Sequence, residues 1–148
     1  ELLKEVHSIK FAISWSGACH DGIGVFKGWF DEYYQEALEN GYAKIPMFWR
    51  EDLLLSKKWF DDIRDTTPMM GLRMYEGPIL AIAGDKDELV PYYHAKEIVE
   101  NSKNENSKTV IVKNSNHTFN VLMPNESKAN DVIEQTIQWI NKVLMMNR

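Results

Sequence analysis

Ile79-Leu80-Ala81-Ile82-Ala83 is an unbroken apolar run, closed by Gly84 and followed by Asp85-Lys86-Asp87-Glu88-Leu89-Val90-Pro91. A half-exposed strand alternates apolar and polar residues. A run with no alternation is the pattern of a strand buried on both faces, which is the position of a central strand in a parallel sheet covered by helices. Thr109-Val110-Ile111-Val112 is β-branched throughout and reads as the next strand. Between the two, Pro91 stands where a helix begins and Ala95, Ile98 and Val99 form an apolar stripe at helical spacing. That combination is a strand-helix-strand crossover. An earlier β-rich run, Ile9 to Trp15, ends in the small residues Ser16-Gly17-Ala18. The alternation of strands and helices predicts a three-layer α/β fold, a mostly parallel sheet with flanking helices.

The chain closes with Ile133, Ile137, Ile140 and Leu144 at i, i+4, i+7 and i+11. This predicts a C-terminal helix that buries those four residues, with Asn130 as N-cap and Asp131 and Glu134 in the first turn. Residues 17–76 are far longer than the dozen or so residues a simple crossover needs. They read as an insertion carrying helices over Trp29–Asn40, stopped by Gly41, and over about Ser56–Arg64. Gly22, Gly24 and Lys27 suggest a loop before the first of these helices. The insertion holds three of the five tryptophans, and it is the candidate for a cap over a small-molecule pocket.

With 148 residues and 44% apolar content the chain suits one domain with a real core. A net charge of −5, with acids interspersed among Lys and Arg, provides no basic face and argues against nucleic acid as a partner. No apolar run approaches the ~20 residues of a membrane helix, so no membrane partner is expected. Cys19, the single cysteine, cannot form an internal disulfide and has no companions at zinc-ligand spacing. That points to a reducing compartment, with a cytoplasmic location as the default and no metal or cofactor required. The first residue is Glu1, and Glu1 to Val6 reads as the last turns of a helix already under way, so further chain is expected before it. His7 and His94 read as surface helix residues, and His20 as a loop residue.

His117 follows Asp87 by thirty positions, in Asn114-Ser115-Asn116-His117-Thr118-Phe119. Each residue follows a predicted strand, and parallel strands deliver their following loops to one edge of a sheet. An imidazole and a carboxylate on that edge are two of the three groups of a hydrolytic triad, in which the imidazole takes the nucleophile's proton and the carboxylate sets its tautomer. Gly84-Asp85-Lys86-Asp87-Glu88-Leu89-Val90-Pro91 resembles the Gly-x-x-Asp-x-x-Val-Pro pattern of the α/β-hydrolases. Ser115-Asn116-His117-Thr118-Phe119 resembles their Gly/Ala-x-His-x-Phe signature, with Ser115 where Gly or Ala is commoner. The resemblance covers about residues 6–145 and implies the part of the fold that follows the nucleophile turn. It implies that Asp87 is the catalytic acid and His117 the catalytic base; Asp85 reads as a solvated or turn-capping residue. It also implies esterase or acyl-peptidase-like chemistry on a small-molecule acyl substrate.

In that family the nucleophile comes first, on Gly-x-Ser-x-Gly. Ser16 has small residues two before and two after it, a relaxed form of that turn. Cys19 has Gly17 two before it but Asp21 two after it. Neither is followed by the small-residue helix that must pack against the strand. The expected nucleophile therefore lies upstream of this chain, and residues 1–148 alone are expected to be inactive. An alternative is a catalytically inactive hydrolase-like binding module, and a third is an unrelated three-layer binding domain. If the first reading holds, the strand Ile9–Trp15 has an open edge that pairs either with the upstream half of the same hydrolase or with a homo-oligomer partner.

Overall fold

The structure is a computed structural model that describes residues 8–20, 22–48 and 50–146. Its elements in chain order are β1 (Ala12–Trp15), α1 (Gly22–Asn40), β2 (Tyr42–Ile45), β3 (Leu53–Ser56), α2 (Lys57–Arg64), α3 (Pro68–Met74), β4 (Ile79–Gly84), α4 (Tyr93–Glu100), β5 (Lys108–Val112) and α5 (Ala129–Met146). They divide into two compact units, one of residues 1–19 and 68–148 and one of residues 20–67. The expectations for His7 and for a helix over Glu1–Val6 lie outside the described residues.

The first unit is a three-stranded parallel sheet in the order β1-β4-β5. Every residue of β4 is buried, as its lack of alternation requires. Ile79, Ala81 and Ala83 face one core with Leu72 of α3 and with Ala95 and Ile98 of α4. Leu80 and Ile82 face the other, with Val132, Trp139 and Val143 of α5. The unit is therefore three-layered, helices on both faces of a parallel sheet.

Helix α5 forms where expected but presents a different face. Its buried row is Val132, Thr136, Trp139 and Val143, while Ile133, Ile137 and Leu144 stay half exposed and Ile140 packs only in part. Two rows of similar apolarity run side by side on this helix, about 100° apart. The sheet takes the row that contains Trp139. The Trp139 ring meets Phe11 edge-on at 5.9 Å, and its indole N–H donates to the Asn106 carbonyl at 3.0 Å. A large aromatic with its polar atom satisfied outweighs an isoleucine row. The helix starts at Ala129, so Asn130 lies in its first turn and does not cap it. The Ala129 N–H is 3.3 Å from Ser127 Oγ.

The second unit, residues 20–67, is narrower than the 17–76 insertion; α3 and Tyr75 belong to the sheet unit's core. Helix α1 begins at Gly22, well before Trp29, so the loop expected around Gly24 and Lys27 is helical. Gly41 ends it at φ +82°, its N–H donating to the Ala37 carbonyl at 3.0 Å. The antiparallel pair β2-β3 was not expected; Ala43 and Ile45 of β2 face inward with Leu55 of β3. Ser56 caps α2 by accepting from the Trp59 N–H at 3.1 Å. The aromatics form this unit's own core, with Phe60 at its centre, edge-on to Phe30 at 5.2 Å and to Trp59 at 5.0 Å. At its rim the Tyr34 hydroxyl donates to Asp61 at 2.9 Å.

Candidate active site

Because β1, β4 and β5 run parallel, the segments that follow them emerge at one edge of the sheet. The strand ends of β4 and β5 are tied together by the chain that leaves them. The Asp85 N–H donates to the Val112 carbonyl at 3.0 Å, the Lys86 N–H to the Ser115 carbonyl at 2.9 Å, and the Ser115 N–H to Asp85 Oδ1 at 3.3 Å. Asp85 is thus a partly buried clamp between the two loops. Gly84 lets the loops approach, since a Cβ there would sit 2.1 Å from the Ser115 carbonyl oxygen and 2.7 Å from that of Asn116.

Asp87 lies two residues beyond this clamp, its carboxylate fully buried. Its Oδ1 accepts from the Leu89 N–H at 3.0 Å and from the Val90 N–H at 2.8 Å, which fixes the carboxylate plane. Its Oδ2 is 2.9 Å from His117 Nδ1. An ionised carboxylate only accepts, so Nδ1 carries a proton, and in the neutral ring Nε2 then presents its lone pair. The His117 side chain is 36% exposed. Among the described residues no hydrogen bond reaches Nε2.

The loop around His117 is held by its own amides. Asn116 Oδ1 accepts from the N–H groups of Thr118 and Asn120, and Asn120 Nδ2 donates to the Asn114 carbonyl at 2.7 Å. Phe119, buried and edge-on to Trp15 at 6.4 Å, anchors the loop in the core. Asn114, Phe119 and Asn120 all adopt positive φ. Ser115 is fully buried, and among the described residues its hydroxyl has no hydrogen-bond partner.

The two in-chain alternatives for a nucleophile have other partners than the His117 ring. Ser16 Oγ donates to the main-chain carbonyl of His117 at 2.9 Å instead of approaching the ring. Cys19 is fully buried, its Sγ 3.4 Å from His94 Nδ1 and 3.7 Å from Glu97 Oε2. Burial first, and the Glu97 carboxylate second, push the thiol up to about 12, which leaves it a protonated donor and a poor nucleophile. His94 is correspondingly not a surface residue. It is buried in the α3/α4 layer, where the Cys19 N–H points at its Nδ1 from 3.3 Å. A lone histidine in an amphipathic helix carries no sequence signal for that position. Among the described residues no helix is long and apolar enough to cross a membrane.

No family model matches the chain, and no curated protein does. Solved structures do. The esterase domain from a Rhodothermus marinus protein superposes with a TM-score of 0.65 at 14% identity, covering 95% of this chain and 55% of that one. The α/β-hydrolase fold is therefore the fold of this chain. Est1E from Butyrivibrio proteoclasticus superposes on the same hydrolase fold with a TM-score of 0.62 at 20% identity, again covering 95% and 55%. Acylaminoacyl peptidase from Pyrococcus horikoshii does so at 0.58 and 14%, covering 93% and 21%. The chain spans about half the length of the Rhodothermus marinus esterase domain and of Est1E.

Proposed function

We propose that this chain supplies the acid and the base of a serine hydrolase that cleaves a carboxylic ester or related acyl bond, the nucleophile lying on a segment upstream of residue 1. The observation that carries this reading is the 2.9 Å contact between Asp87 Oδ2 and His117 Nδ1. In the proposed reaction Nε2 takes the proton of the serine hydroxyl as it attacks the acyl carbon, and then delivers that proton to the leaving alcohol. Water, deprotonated by the same nitrogen, then attacks the acyl carbon, and the nitrogen returns that proton to the serine oxygen as the acid leaves. Asp87 stays ionised throughout and stabilises the imidazolium formed in each half-reaction.

Two further elements belong to the same proposal. The upstream half of the hydrolase, or a second copy of this chain, covers the open edge of β1 and the half-exposed Ile133, Ile137 and Leu144 of α5. The enzyme works in the cytoplasm, where the free Cys19 thiol stays reduced.

A fluorophosphonate probe on the full-length protein tests the reading. It should label one serine upstream of residue 1, and His117→Ala should abolish that labelling because the hydroxyl then has no base. Label on Ser16, or labelling indifferent to His117, would contradict the proposal.

A further inference from the structure

We propose that Ser16 is a positioning residue for His117, an assignment that rests on the reading of His117 as the general base. Four non-glycine residues adopt positive φ among the described residues, and three of them, Asn114, Phe119 and Asn120, belong to the His117 loop. The fourth is Ser16, at φ +49° on the end of β1, more than a hundred residues away in sequence. Asparagine tolerates this conformation; serine has no such ease. A strained residue persists where its surroundings over-determine it.

Two bonds do so here. The Ser16 N–H donates to the Ile82 carbonyl at 2.8 Å, which extends the β1-β4 ladder one residue past the strand. The hydroxyl then donates to the His117 carbonyl at 2.9 Å, and Ser16 as a whole is buried. Among the described residues this hydroxyl is the one donor that the His117 carbonyl has. The histidine is therefore held at two points from two different strands, its ring by Asp87 after β4 and its main chain by Ser16 after β1. The bonds made by Asn116 and Asn120 are internal to the loop; its placement over the sheet edge falls to these two, to Phe119 and, at its start, to the Asp85 and Lys86 bonds to Ser115. Removing the hydroxyl leaves a partly buried carbonyl unsatisfied and frees the segment that carries Nε2. Small misplacements of a base cost rate steeply.

Ser16→Gly in the full-length protein is the test, because glycine accepts φ +49° without strain while the side chain that bonds the His117 carbonyl is lost. On an activated ester, kcat should fall about tenfold at an unchanged KM. By proton NMR the downfield Nδ1–H resonance of His117, set by its bond to Asp87, should broaden or disappear. A role confined to stability would lower the melting temperature and leave both readouts in place, and that result overturns the proposal. If the full-length protein hydrolyses no ester at all, the functional reading fails and the NMR arm decides by itself. A ring-proton resonance unchanged in Ser16→Gly then overturns the role of Ser16, and its loss upholds it.

Discussion

A Cβ on Gly84 would stand 2.1 Å from the carbonyl oxygen of Ser115. The neighbour is main chain held by the Lys86 N–H, so it cannot rotate away. Gly84→Ala must therefore push the His117 loop off the end of β4. The expected cost is about 1–3 kcal/mol in urea unfolding, the range of overpacking. The Asp87–His117 bond should lengthen with it, seen as loss of the downfield ring proton.

Ser115 makes the opposite case. Its hydroxyl is buried with no partner among the described residues, so removing it removes a desolvation cost. Ser115→Ala should be neutral or stabilising by up to about 1 kcal/mol, whereas most buried substitutions destabilise. Equilibrium unfolding at one temperature measures this directly.

Cys19 links stability to pH. Its folded-state value of about 12 lies above that of a thiol in the unfolded chain, so the folded protein resists ionising it. The resulting stability is fully present below the unfolded thiol's range and is lost as pH rises through the folded value. Between about pH 9 and 12 the melting temperature should fall more in the wild type than in Cys19→Ala. Native protein at pH 8 should also react with Ellman's reagent only as fast as it opens.

The two rows of α5 give contrasting expectations. Trp139→Ala should cost about 3–5 kcal/mol, the usual range for truncating a buried aromatic, and Ile137→Ala in residues 1–148 only about 0.5 kcal/mol. The half-exposed row and the β1 edge should make residues 1–148 self-associate in sedimentation. Ile137→Glu together with Leu144→Glu should weaken that association. A monomer whose amides at 12–15 are protected from exchange would contradict this.

The sheet unit was legible because its signals are strong and local. An apolar run with no alternation, a β-branched run and a glycine before the acid loop leave little choice of element, and parallel strands put Asp87 and His117 on one edge. What stayed hidden depends on competition between similar options. Rows 132/136/139/143 and 133/137/140/144 differ by one residue, and only the Trp139 contacts with Phe11 and Asn106 decide between them. The pair β2-β3 is built of four-residue strands with no Asn-Gly turn to announce it. Helix α1 runs through Gly22, Gly24 and Gly28 against their low propensity, because Phe26, Trp29 and Phe30 all contact aromatic neighbours. The Ser16–His117 bond joins residues about a hundred positions apart and is visible only in three dimensions.

The central claim is that Asp87 and His117 are the working acid and base of an acyl hydrolase. The most direct measurement is kcat/KM of the full-length protein on an activated ester such as p-nitrophenyl acetate, with Asp87→Asn and His117→Ala compared under one set of conditions. The account predicts a fall of about 10⁴-fold for Asp87→Asn and at least as large a fall for His117→Ala, with both variants folded. Full activity in a folded His117→Ala variant, or a loss on Asp85→Asn matching that expected for Asp87→Asn, would contradict it.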